Sequence, residues 1–126
     1  MDVAIGMIEI EGVAGVIVAA DAVCKASEVE LLGWESIGGF TTVFFEGPIS
    51  AVNVSLHNGK QAANEIVEHV VGTILTRPEI PYRDMIAFPI QRDMAVIPAA
   101  LGLIETRGYG AQVFNNDRMV KSAEVE

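Results

Sequence analysis

Basic residues are scarce. Eight Lys and Arg stand against seventeen Asp and Glu, so the 126-residue chain carries a net charge of −9 and has no basic run. A phosphate-binding footprint is missing, which excludes nucleic acid as an expected partner. Cysteine is nearly absent too. Cys24 is single and has no partner for a disulfide, as a reducing compartment allows. Its place in an apolar helical pattern predicts a small buried hydrophobe. The apolar runs are broken by Gly, Asp or Glu well before the ~18 residues of a membrane helix. The opening Met1-Asp2-Val3 lacks a basic leader segment. The expectation is a protein neither exported nor membrane-spanning.

Catalytic patterns are equally thin. His57 and His69 stand twelve apart, without Cys or His neighbours at metal-ligand spacing. No phosphate loop, nucleophile elbow or Cys-x-x-Cys occurs. Glu9 and Glu11 project from one face of a predicted strand, but at a strand end they read as solvated or paired with a basic side chain. No catalytic residue and no metal ligand is assigned, and no enzyme is expected.

What the chain does have is apolar residues, 51% of the total with a mean hydropathy of +0.39. That is high for a soluble monomer and predicts apolar surface buried against other chains. It also has a repeat. Residues 4–30 align without gaps on 100–126 at an offset of 96, with identities at Ala4/Ala100, Gly6/Gly102, Ile8/Ile104, Glu9/Glu105, Gly12/Gly108, Asp21/Asp117, Lys25/Lys121, Glu28/Glu124, Val29/Val125 and Glu30/Glu126. Ten identities in 27 positions mark a duplicated unit. The expected organisation is a complete domain over 1–88, a linker over 89–99, and over 100–126 the opening strand and helix of a second, incomplete domain.

Within the first unit, residues 3–10 predict a strand and Gly12 a turn. Val13, Val16, Ile17, Ala20, Val23 and Cys24 form one face of a helix. Strands are predicted over 28–37 and 41–45 around the glycine loop Ser36-Ile-Gly-Gly-Phe40. A helix follows Gly47-Pro48, with its apolar stripe at Ile49, Val52, Leu56, Gly59, Ala63 and Ile66. A fourth strand runs over 67–76, and a short third helix is expected within 81–88. The order β-α-β-β-α-β predicts an α/β (α+β) sandwich of ferredoxin-like topology, with a four-stranded antiparallel sheet and both helices on one face.

The first copy is predicted to complete the domain. At the matching helix positions the second copy places Tyr109, Gln112, Val113, Asn116, Met119 and Val120, and burying its two amides without partners would cost about 1–3 kcal/mol each.

With these segments placed, the chain resembles the bacterial microcompartment (BMC) shell protein domain. The resemblance rests on Gly6-Met-Ile-Glu-Ile-Glu-Gly12, Ala19-Ala-Asp-Ala-Val-Cys-Lys25, Val29-Glu-Leu-Leu-Gly33, the Ile37-Gly-Gly loop, Gly47-Pro-Ile-Ser-Ala-Val52 and Thr76-Arg-Pro78. It covers about residues 3–88 and again 100–126. It implies a structural tile, in which six such domains, or three tandem chains as a pseudohexamer, form a disc. Discs then tile into a shell that encloses enzymes in the cytoplasm. The repeat here resembles a tandem member whose second domain is cut short.

The resemblance places the edge lysine at Lys25 and Lys121, with its companion arginine at Arg77. It places the central pore, for small polar metabolites, at Ser36, Ile37, Gly38, Gly39 and Phe40. The loop departs from the commonest glycine-serine-glycine form by being one residue shorter and by placing Phe40 directly after the glycines. Some tandem members hold an iron–sulfur cluster at this loop through cysteine. No cysteine lies between Ser36 and Phe40, so no cofactor is expected. Other shell proteins, enclosed enzymes and permeant metabolites are the implied partners. The competing reading is a small ferredoxin-like regulatory domain that binds a ligand between subunits.

Overall fold

A computed structural model describes residues 2–91 and 99–125. Residues 1–95 and 96–126 form two compact units.

The first unit runs β1 (Val3–Glu11), α1 (Ala14–Ala26), β2 (Glu30–Ile37), β3 (Phe40–Pro48), α2 (Ile49–Asn64) and β4 (Val70–Thr76). A single 3-10 turn (Tyr82–Met85) and a two-residue β5 (Phe88–Pro89) follow. The sheet order is β4-β1-β3-β2-β5, with every neighbouring pair antiparallel. The α/β sandwich of ferredoxin-like topology is therefore present. The expected four strands become five, because β5 adds to the edge of β2.

Alternation along β1 sets the layers. Ala4, Ile8 and Ile10 enter one core with Val43 and Phe45 of β3, Val16, Ala19 and Val23 of α1, and Val52 and Ala63 of α2. The buried residues of α1 are Gly15, Val16, Ala19 and Val23, which differs from the expected face. Val13 and Ile17 are exposed, and so is Cys24, which corrects its reading as a buried hydrophobe. Partial burial, and then the charge of Asp21, push the Cys24 thiol above its ordinary range.

Small residues rather than large ones decide this face. A Cβ on Gly59 would lie 2.6 Å from Ile8 Cδ1 and 2.7 Å from Val23 Cγ2, so the helices approach closely where Gly15, Ala19 and Gly59 meet the core. In the same seam the buried Ser55 hydroxyl donates to the Val23 carbonyl at 3.0 Å. That bond satisfies a polar group that would otherwise cost about 1–3 kcal/mol to bury.

Residues 80–90 secure the other face and the β2 edge. Ile5, Leu32 and Ile86 are buried outside the helix-side cluster. The Tyr82 hydroxyl donates to Glu46 Oε2 at 2.6 Å, and the Arg83 guanidinium pairs with Glu46 Oε1. Glu46 sits directly opposite Glu30 across the strands, a like-charge pairing that is unfavourable alone. Arg83 offsets it, since both carboxylates stabilise its charge. The hydrogen bond to Glu46, followed by desolvation, raises the Tyr82 hydroxyl above the ordinary tyrosine range. The rings of Trp34 and Phe88 stack at 4.3 Å, the Ala87 amide donates to Glu35 Oε2 at 3.0 Å, and the Ile90 amide donates to the Leu32 carbonyl at 3.1 Å. The expected third helix is thus one 3-10 turn in a strap. Of the expected linker, residues 92–98 lie outside the described residues.

In the second unit, residues 101–106 form no strand, whereas α3 (Tyr109–Ser122) forms. Thr106 Oγ1 donates to the Gly108 carbonyl at 2.8 Å, and the Gln112 side-chain amide donates to Asn116 Oδ1 at 3.0 Å.

Candidate pore loop and edge cations

Ser36 to Phe40 form one β-hairpin tip. Gly38 and Gly39 are the two turn residues between β2 and β3, with φ of 61° and 86°. Two consecutive positive φ values define the tight turn that suits the right-handed twist of the strands, and glycine adopts them without steric cost. A Cβ at either glycine would meet nothing within 4 Å. The tip is tied to the β1–α1 turn, where the Gly12 amide donates to the Gly39 carbonyl at 2.8 Å.

Ile37 pairs directly with Phe40, and Phe40 pairs with Glu11 on its other side. Directly opposed residues share a face of the sheet. The neighbouring Thr41 is 1% exposed and pairs with core residue Ile10, so Ile37, Phe40 and Glu11 project from the face opposite the helices. Glu9, Thr42 and Glu35 are in register on that same face, and the Thr42 hydroxyl donates to Glu9 Oε2 at 3.0 Å. Ile37 is 73% exposed and Phe40 52%.

The expected edge cations each hold a carboxylate. Lys25 Nζ lies 2.5 Å from Asp21 Oδ2, one helical turn back in α1. Lys121 Nζ lies 2.7 Å from Asp117 Oδ2 in α3. Both pairs run acid-to-base at i,i+4, the favourable order on a helix. Arg77 Nε lies 3.4 Å from Asp2 Oδ1, and its amide donates to the Val3 carbonyl at 2.9 Å. Its φ is 49°, an uncommon conformation for a residue with a Cβ.

The partners Asp2, Asp21 and Asp117 were not singled out from sequence as site residues. The identity of Asp21 with Asp117 and of Lys25 with Lys121 was the available signal, since the repeat preserves both halves of one ion pair. Asp21 and Lys25 also line a shallow groove of ≈ 420 Å³ between α1 and α2, together with Asn58, Gln61 and Glu65.

The ferredoxin-like sheet with a glycine hairpin at one end and a lysine at the close of α1 defines a class. Residues 4–78 match the family model described as BMC domain, and the chain belongs to that family. Among individual relatives, the carboxysome assembly protein CcmO of Synechocystis sp. is 29% identical over 137 residues, covering 99% of this chain and 46% of its own length. The carboxysome shell protein CsoS1 of Prochlorococcus marinus is 41% identical over 80 residues, covering 62% of this chain and 78% of its own length. The chain spans about half the length of the CcmO relatives it matches. A crystal structure of a microcompartment protein from Desulfitobacterium hafniense is 33% identical, with a TM-score of 0.49 over 56% of this chain and 40% of that one.

Proposed function

We propose that the chain is a structural, non-enzymatic subunit of a bacterial microcompartment shell in the cytoplasm. Its first unit is a BMC domain that self-associates into a hexagonal disc, and residues 100–126 open a second domain of the same kind. Discs of three tandem chains then have the outline of six domains. Membership of the BMC family carries this reading, and the similarity to carboxysome shell and assembly proteins supports its direction. The tandem element is supported by the repeat and by the CcmO similarity, which extends over nearly the whole of this chain.

In this reading Lys25, Lys121 and Arg77 lie at contacts between discs, with other shell proteins as neighbours and enzymes enclosed. Ser36, Ile37, Gly38, Gly39 and Phe40 surround a central pore for small polar metabolites. Support for the edge role comes from exposure, as the Lys25 and Arg77 side chains are 73% and 72% accessible.

Negative-stain microscopy of the full chain tests the proposal. Wild type is expected to form extended layers. Lys25→Ala is expected to leave discrete discs whose thermal melt is unchanged, because surface substitutions stay within about 0.5 kcal/mol. A wild type that remains a small discrete oligomer would instead favour the regulatory-domain reading.

A further inference from the structure

Resting on the reading of the hairpin as a pore rim, we infer that Ile37 and Phe40 form an apolar collar that passes small uncharged solutes and holds back ions. Both side chains project from one face at the hairpin tip, as a direct cross-strand pair, and both stay exposed although large and apolar. Between them the turn offers two glycines with open space at each missing Cβ, so the turn itself adds no side chain to the pair. None of the residues from Ser36 to Phe40 carries a charge.

Symmetry multiplies whatever lies at a rim. Several copies of Ile37 and Phe40 around one axis make an apolar constriction, which water wets poorly and where an ion loses hydration without gaining a partner. On the same face Glu11 pairs directly with Phe40, and Glu9 and Glu35 lie next back, so the collar is flanked by carboxylates. An anion therefore meets like charge before the collar. A cation is drawn toward the carboxylates but still faces the desolvation step. An uncharged polar molecule pays neither electrostatic penalty, which narrows the permeants from polar metabolites at large to the uncharged ones.

The probes are acetamide and acetate, nearly equal in size and different in charge at neutral pH. Layers of the full chain, sealed over a porous support, are expected to pass acetamide about tenfold faster than acetate. The Ile37→Ser/Phe40→Ser double variant should raise acetate flux by about tenfold and leave acetamide within about twofold. The Ile37→Val/Phe40→Leu variant, which keeps the rim apolar, should behave as wild type. Gly38→Asp serves as the position control, since φ near 61° is a conformation that Asp tolerates. Its added charge should slow acetate further.

Two results overturn the collar. One is a wild type that passes both probes equally; the other is a serine double variant with an unchanged ratio beside a Gly38→Asp variant that does slow acetate. If neither the serine variant nor Gly38→Asp alters acetate flux, the rim is elsewhere and the pore reading itself fails.

Discussion

Residues 4–26 and 100–122 align without gaps, with seven identities in 23 positions, and differ in structure. In the first copy, Val3–Glu11 is a strand paired on both sides, with β3 and with β4, and α1 buries Gly15, Val16, Ala19 and Val23. In the second, residues 101–106 form no strand and α3 buries no residue. The ion pair one turn from the helix end is nevertheless the same in both. Local chemistry, a helix and its i,i+4 pair, follows from the segment alone. A strand needs neighbours to supply its hydrogen bonds and its core, so its formation depends on residues far away in sequence.

Truncation breaks the comparison most severely. Removing residues 99–126 should leave a cooperative thermal transition, whereas removing 2–27 takes away the interior strand β1, which lies between β4 and β3, together with α1, and should abolish it in a circular-dichroism melt.

Identical positions sharpen it. Ile8 is 0% exposed and its counterpart Ile104 is 46% exposed. Ile8→Ala should cost about 2–5 kcal/mol by cavity formation, and Ile104→Ala less than about 0.5 kcal/mol, read as a difference in urea midpoint.

Gly6 and Gly102 give a smaller contrast of the same kind. A Cβ on Gly6 would lie 2.2 Å from the buried Phe45 ring, while one on Gly102 meets nothing within 4 Å. Gly6→Ala should destabilise by about 1–3 kcal/mol through overpacking. Gly102→Ala should be neutral or gain a few tenths of a kcal/mol, about the lower end of the unfolded-state entropy effect.

The smallest effect belongs to the feature the copies share. Lys25→Met and Lys121→Met should each change stability by no more than about 0.5 kcal/mol, and by similar amounts, since both pairs are exposed and equally spaced.

The four long strands, both helices of the first unit and the glycine hairpin were legible in the sequence because their signals are local. Gly38-Gly39 reads as a turn, and Pro48 opens α2. The inward face of α1 was misread because large apolar residues were followed, whereas the seam is built on Gly15, Ala19 and Gly59, whose role is to be small. The same correction applies to the second helix. The positions matching Val16 and Ala19 are Gln112 and Asn115, not Gln112 and Asn116. The β5 strap was illegible for another reason. Its two residues carry no period, and it is held by Trp34, Glu35, Glu46 and Leu32 from strands far back in the chain.

The bond from the Gly12 amide to the Gly39 carbonyl gives the hairpin tip a second anchor besides its own strands. A two-residue turn fixed in this way has little slack, and it behaves as the wire of a mesh rather than as a door. Under the proposed pore reading, such a mesh would change what it sieves when a side chain at the rim is exchanged by mutation, not when the loop swings. Its selectivity would then be written in the genome and stay constant through the working life of each molecule.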